Sequence, residues 1–559
     1  MKTKNLLPIY IATVYIVMLT LNSIAQSPTW QWAKSAGGSS SDYGRSVATD
    51  GSGNIVVTGN FSFTIDFGTT TLTNAGVNDI FIVKYDAAGN VLWAKRAGGG
   101  TDEYCYSVAT DDSGNIFITG SFYGSTLTFG TTTLINAGNC NMFIVKYDAA
   151  GNVLWAKSAG GSDYDGGNSV ATDGSGNVLV TGDFSSFTID FGTTTLNHSG
   201  SNDMFIVKYD GAGNVLWAKG VGDSDVDYGQ SVAVDDSGNI LVTGNFKSSA
   251  LAFSTTTLTN AGNYDMFIVK YDSNGNELWA KSAGGSFADY GNSIATDAIG
   301  NIVVTGNFKS SALTFGTTTL TNAGINDMFI VKYDAGGNIL WAKSAGGSND
   351  DYGQSVAIDG SENIVVTGIF GNSTTITFGT FTLTNAGSCD MFIVKYNTGG
   401  NALWAKSAGG SDVDYGQSVA TDGSGNIVVV GIFKSSILTF GTTTLTNVGN
   451  NDMFIAKINT PTGIENIENS NGIVIYPNPS NGKFMIKSNN INSIEIYNLL
   501  GEKIYSTTNN TQTTQMNIRP DRQSIYDIDI SHCPKEMYFV KIYPEYSGEK
   551  IYTEKIVIQ

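Results

Sequence analysis

Along most of this chain, short runs of β-branched and aromatic residues alternate with glycine- and asparagine-rich punctuation, and the alternation recurs at a fixed interval. One unit reads as four strands. Ser46-Val47-Ala48-Thr49-Asp50 suits a short buried first strand, Gly51-Ser52-Gly53 is turn chemistry, and Ile55-Val56-Val57-Thr58-Gly59-Asn60-Phe61 is a second strand. Phe81-Ile82-Val83-Lys84-Tyr85-Asp86, the turn Ala87-Ala88-Gly89-Asn90 and Val91-Leu92-Trp93-Ala94-Lys95 read as a hairpin of the third and fourth strands. Between the second and third strands lies an insert, residues 62–78, in which Thr alternates with larger side chains; this predicts a small extra hairpin. Gly59 recurs as Gly120, Gly182, Gly244, Gly306, Gly368 and Gly431, and glycine inside a strand marks a bulge or a close backbone approach.

The tryptophans of a repeated WAK word give the period: Trp32, Trp93, Trp155, Trp217, Trp279, Trp341 and Trp404, spaced by 61, 62, 62, 62, 62 and 63 residues. Four-stranded units at such a period predict a radially repeated all-β architecture, a seven-bladed β-propeller followed by a small immunoglobulin-like β-sandwich. WAK first occurs ahead of any first strand, whereas the last unit stops after Phe454-Ile455-Ala456-Lys457 with no WAK behind it. The N-terminal segment is therefore expected to supply the outer strand of the last blade, which pairs two otherwise bare edges.

The string Tyr43-Gly44-Arg45-Ser46-Val47-Ala48-Thr49-Asp50 with GNIVVTGNF, DIFIVKYDAAGNVLWAK and AGG resembles the SBBP-type β-propeller repeat of bacterial secreted proteins, over about residues 29 to 459. That family is defined by its scaffold, so the resemblance implies a fold and leaves the function open.

The two ends carry different signals. Lys2 and Lys4, an apolar stretch from Leu6 to Leu21 and Ser23-Ile24-Ala25 before Gln26 read as a signal peptide over residues 1–25, cleaved between Ala25 and Gln26. The stretch is interrupted by Tyr10, Thr13, Tyr15 and Thr20 and is shorter than a span, and no transmembrane segment is expected in the mature protein. The repeats occupy residues 26–459, and a polar linker, residues 460–472, precedes a new vocabulary in residues 473–559. There, Ile473 to Phe484, Ile494 to Tyr505, Ile528 to Ser531, Met537 to Ile542 and Lys555 to Gln559 alternate as half-buried strands around Pro, Asn and Gly turns. On pattern alone this is compatible with an ordinary carbohydrate-binding or immunoglobulin-like module. YPNPSNGKF, IEIYNLLGEKIY, the IDIS-to-MYFVKI segment and the KIVIQ end resemble the type A C-terminal sorting domain of the type IX (Por) secretion system, with Glu536 standing where that family usually has Gly. The resemblance implies the type IX machinery as a partner and a secreted or surface-attached protein, its tail removed or used for attachment to surface polysaccharide.

Charge narrows the partners. The formal net charge of −19 falls on the repeats, because the two ends nearly balance, and phosphate binding requires a basic stripe; nucleic acid is excluded as a partner. The chain has two histidines, His198 in one insert and His532 in the C-terminal domain, so neither a paired-His metal site nor a repeated triad is available. Asp272-Ser273-Asn274-Gly275-Asn276 spaces oxygens as a calcium loop would but lacks the distal Glu, and reads as a hairpin turn. The D-x-x-G-x-x-L-W rhythm is similar to the tryptophan-docking motifs of pyrroloquinoline-quinone dehydrogenases, but seven units and no adjacent cysteines argue against that cofactor, and none is expected.

The feature that invites a functional reading is an acid before each first strand, Asp42, Glu103, Asp165, Asp227, Asp289, Asp351 and Asp414, followed in six units by Tyr43, Tyr104, Tyr228, Tyr290, Tyr352 and Tyr415, with Gly166 in the third. These residues are expected to ring one mouth of the channel, the default ligand face. One reading makes each Asp-Tyr-Gly a blade-to-blade turn; the other makes the ring a binding surface for an extracellular glycan or protein. The leading functional expectation is a non-enzymatic binding or adhesion protein, and the alternative is a polysaccharide hydrolase or lyase. Of Cys105, Cys140, Cys389 and Cys533, the first two fall on one rim of one blade and are expected to form a disulfide.

Overall fold

The computed structural model describes residues 28–371 and 375–459 and, towards the C-terminus, 474–476, 480, 482–488, 491–498, 501–508, 524–544 and 552–558. The signal-peptide segment with its Ala25/Gln26 cleavage point and the 460–472 linker lie outside the described residues. The chain divides between residues 460 and 461 into two units.

Among the described residues, the first unit holds seven four-stranded antiparallel sheets. The first is ordered Asp42–Thr49, Ile55–Phe61, Asp79–Tyr85 and Val91–Ala97, from inside outwards, and five more follow in sequence. The seventh takes Asp414–Thr421, Ile427–Phe433 and Asp452–Asn459 from one end of the repeats and Thr29–Ala36 from the other, paired from Thr29 against Asn459 to Ala36 against Met453. Each insert folds as a two-stranded hairpin, as Thr64–Asp66 and Thr71–Thr73 do in the first. Second and third strands are buried along their whole length, because a sheet covered on both faces needs continuous rather than alternating apolar residues.

Three repeated contacts tie each sheet to the next. On the inner strands a serine hydroxyl accepts a backbone N–H from the following sheet, from Ser46 with Val108 N–H at 3.1 Å onwards, and the series returns to its start when Ser418 accepts Val47 N–H at 3.2 Å. Towards the outside, six tryptophans of the WAK series donate Nε1–H to a carbonyl in the next sheet's hairpin turn, Trp93 to Ala149 at 3.3 Å, Trp155 to Gly211 at 3.1 Å and Trp32, on the N-terminal strand, to Ala87 at 3.4 Å among them; the sheet after Trp404 has no such turn, its outer strand being the N-terminal one. In six sheets a buried lysine from the third strand pairs with the aspartate just after the first strand of its own sheet, Lys84 with Asp50 at 2.9 Å for example, and Lys84 also donates to the carbonyl used by Trp93, that of Ala149, at 3.4 Å. Gly59 is a close-approach glycine: a Cβ there would lie 1.8 Å from the Tyr43 carbonyl oxygen.

The second unit has a three-stranded sheet, Val474–Tyr476, Lys483–Ser488 and Ser524–Asp529, and a four-stranded one ordered Lys503–Thr508, Ile491–Tyr497, Met537–Pro544 and Tyr552–Val557. Phe484, Ile486 and Ile528 from the first share a core with Ile494, Ile496, Val540 and Ile542 from the second.

Candidate functional site at the inner-strand wall

The inner strands begin earlier than the sequence suggests. The acid is the first residue of each, not part of a preceding loop. Each inner strand also carries one residue more than its partner: in the first sheet Gly44 pairs with Gly59 and Ser46 with Thr58, which leaves Arg45 out of the ladder. Such a bulge re-aims the extra side chain and is common beside binding sites. The bulged residues are Arg45, Tyr106, Asn168, Gln230, Asn292, Gln354 and Gln417. Two of them reach the next sheet, Asn168 donating to the Gly229 carbonyl at 3.1 Å and Asn292 to the Gly353 carbonyl at 3.0 Å, whereas Arg45 and Tyr106 bond to Asn60 and Ser121 of their own sheets.

The acids require a correction to the ring of ligand-facing carboxylates. Asp42, Glu103, Asp165, Asp227, Asp289, Asp351 and Asp414 are all 0% exposed. Each folds back on the turn before it: Gly38 N–H reaches Asp42 at 2.8 Å, Gly99 N–H reaches Glu103 at 3.0 Å, and Gly161, Asp223, Gly285, Gly347 and Gly410 serve the other five. In four sheets a serine hydroxyl adds a second strong bond, Ser186 to Asp165, Ser248 to Asp227, Ser310 to Asp289 and Ser435 to Asp414, all at 2.7 to 2.8 Å. Where Gly124 replaces that serine, burial pushes Glu103 up to about 7. Asp42 has no serine bond either, and burial, with Asp452 close by, pushes it up to about 8. These acids build the wall and do not face a ligand.

The tyrosines are different. All six are half-buried and lie on the wall, and two of them, Tyr290 and Tyr352, line a cavity of about 520 Å³. Phe287 and Ala288, the bulged Asn292 and Gln354, and Asn263, Asn307, Lys309 and Asn326 complete its lining. Asn326 donates to the Tyr352 hydroxyl at 3.3 Å, and Tyr264 rests against Tyr290 with ring centroids 5.5 Å apart. The cavity thus presents aromatic faces among neutral amides and one cation, Lys309. Sequence reasoning named Tyr290 and Tyr352 but missed Asn292 and Gln354, whose signal is a polar residue one place after the Gly of Asp-Tyr-Gly. Gly166 has its own reason: a Cβ there would lie 2.5 Å from the Tyr164 hydroxyl, so Tyr164 fills that place.

The expected disulfide is not formed. Cys105 and Cys140 are both free and buried. Cys105 stands where most inner strands have glycine and packs against Val56, Ile80 and Ile82 of the preceding sheet, whereas Cys140 bridges to Tyr164 of the following one. The two thiols lie towards opposite faces of one sheet. His198 packs its ring edge-on against Phe184 at 5.9 Å. The Asp272 carboxylate is occupied by its own turn, accepting from Asn274 N–H, Asn276 N–H and the Asn276 amide, as a hairpin requires.

Comparison with known proteins bears on both units. Residues 92–121 and 216–245 match the family model of the β-propeller repeat, and residues 474–559 match that of the secretion system C-terminal sorting domain. The chain carries β-propeller repeats and a sorting domain. A tail of this kind indicates export through the type IX secretion system, to the cell surface or the extracellular space. Among curated proteins the chain is 27% identical to the WD repeat-containing protein L264 of Acanthamoeba polyphaga mimivirus, across 73% of this chain and 36% of that protein. It is 28% identical to the regulatory protein FlaEY of Caulobacter vibrioides, across 35% of this chain and 21% of that protein. The matches thus span about a third or less of those relatives' own length. Among solved structures, the Pan2 WD40 domain of Neurospora crassa aligns with a TM-score of 0.38 at 11% identity, covering 76% of this chain and 90% of that one. Puromycin hydrolase aligns at 0.33 and 11%, covering 70% and 58%. Both likenesses are too distant to bear on the site.

Proposed function

We propose that this is an exported surface protein whose propeller binds glycan without turning it over. The carrying observation is the lining of the inner-wall cavity. Tyr290, Tyr352 and Phe287 offer flat apolar faces for a sugar ring, and the amides of Asn292, Asn307, Asn326 and Gln354 offer both donors and acceptors for hydroxyls. Hydrolysis of a glycosidic bond ordinarily needs two carboxyl groups flanking it, and the lining contains neither a carboxylate nor an imidazole; the neighbouring Asp289 and Asp351 are held inside the wall. The test is a glycan array with the full chain, followed by titration of the best ligand. Tyr290→Ala with Tyr352→Ala should weaken binding at least tenfold and leave the melting temperature nearly unchanged. Release of reducing ends or unsaturated sugar from the bound glycan would replace this reading with the hydrolase or lyase alternative.

A further inference from the structure

The seven bulge positions are filled by amides in five sheets, by Tyr106 in the second and by Arg45 in the first. Arg45 is the single cation of the series. Its Nε donates to Asn60 Oδ1 at 3.3 Å, and its guanidinium carbon lies 4.9 Å from the centroid of the Tyr43 ring. Among the described residues no carboxylate pairs with it, in contrast to Arg96, which meets Asp79 at 2.9 Å. Burial lowers its pKa from the usual arginine value, against the opposing influence of Tyr106, Tyr43 and Tyr104. A guanidinium drawn out of water without a counter-ion is unfavourable, and an incoming anion relieves it.

The neighbouring second sheet carries a cluster of aromatic rings. Tyr104 and Tyr106 stack with centroids 6.2 Å apart and planes 7° from parallel, and Tyr123 meets Tyr104 edge-on at 6.3 Å. Of the acids on these two sheets, Asp42 and Glu103 turn away to the Gly38 and Gly99 amides, and Asp102, beside Tyr104, accepts from the Asn78 amide at 2.5 Å. Guanidinium forks grip carboxylates with two parallel hydrogen bonds. We infer that Arg45, with Tyr43, Tyr104 and Tyr106, forms a subsite for the carboxylate of a uronic-acid residue, so that the glycan bound by this propeller is an acidic one. This rests on the glycan-binding reading above and names the chemical class of its ligand.

The experiment titrates the full chain with oligogalacturonates and with neutral oligogalactosides of the same length, at about 0.15 M salt, where charges beyond about 8 Å are screened. Wild type is compared with Arg45→Gln. Glutamine is the native bulge residue in three other sheets, as Gln230, Gln354 and Gln417, so the variant keeps a side chain this fold accepts, and an unchanged melting temperature verifies it. The expected result is at least a tenfold preference of wild type for the uronate, lost in Arg45→Gln while neutral binding is unchanged. Neutral binding with no uronate preference in wild type, or a preference that survives Arg45→Gln, overturns the subsite and spares the glycan reading. Binding of neither oligomer to wild type overturns both.

Discussion

Replacing Glu362 with glycine should stabilise the propeller. Glu362 occupies the turn between the first and second strands of the sixth sheet with φ at 63°, a left-handed conformation that the other six sheets assign to glycine, from Gly114 at 75° to Gly300 at 81°. A side chain in that region costs roughly 1–2 kcal/mol, and the extra freedom glycine gives the unfolded chain offsets roughly 0.4–1 kcal/mol. The net gain is therefore about 0.5–1 kcal/mol. A second effect has the same sign: Glu362 Oε2 is shielded from water without a hydrogen-bond partner among the described residues. The turn itself survives, because its bond from the residue 362 N–H to the Asp359 carbonyl, 2.9 Å, is a backbone bond. With an unfolding entropy of about 2.1 cal/mol/K per residue, a cooperative ring of about 430 residues gains only about 1 °C per kcal/mol, so differential scanning calorimetry is the suitable assay. Glu362→Ala separates the two effects, since alanine removes the carboxylate but keeps the strained backbone, and it should gain less than glycine. The reverse change, Gly300→Glu, should lower the midpoint. An alanine variant as stable as the glycine variant, or a glycine variant that melts earlier than wild type, would refute the strain argument.

Deleting residues 28–36 removes a ladder of seven paired positions, the edge-on contact of Trp30 with Phe440 at 4.7 Å and the Trp32 bond to Ala87; at about 1 kcal/mol per ladder bond the melting temperature should collapse, and an unchanged melt would dismiss strand exchange as a source of stability. Acidity should act through Asp42: with its folded pKa raised to about 8 from an ordinary 3.8, its contribution is fully present below about pH 4 and is lost as pH rises through 8. Asp42→Asn should therefore flatten the fall in melting temperature between pH 4 and 8, and an identical pH profile in the variant would discard the assignment. Asp50, Asp173, Asp235, Asp297, Asp359 and Asp422, held low by lysine and asparagine partners against the effect of burial, act in the opposite direction, their contribution being lost as pH falls below 4. Removing residues 473–559 should leave a folded propeller in the periplasm, as read by cell fractionation and protease accessibility; normal surface display of the truncated chain would contradict the role of the tail.

The blade pattern was legible because its signals are redundant: Trp93, Lys84, Gly59 and Asp50 each meet a need common to every unit, so each recurs in register. The N-terminal strand was legible from a mismatch alone, a WAK at Trp32 without a blade before it. The wall was harder to read. Asp42-Tyr43-Gly44 has the composition of a turn, and nothing local reveals that Gly44 pairs with Gly59 inside a strand or that Arg45 is the bulged residue. Side-chain direction was lost with it, so the acids looked like a ligand-facing ring although their carboxylates turn inwards to the preceding loop amides. Cys105 and Cys140 failed for a related reason, since proximity in one blade says nothing about which face of the sheet a thiol takes.

The strand Thr29–Ala36 is among the first parts of the propeller to be synthesised, yet its partner Asp452–Asn459 ends 430 positions later, from residue 29 to residue 459. A growing chain can stack its blades one on another as they emerge, but it cannot finish the last sheet until the whole array exists. Contacts of such high sequence separation form slowly, and until they do both ends of the stack keep a bare edge. Completion is thus a late, all-or-none event that reports the length of the chain. A product cut short by even one blade keeps its edges exposed, and such edges are what chaperones and proteases meet first.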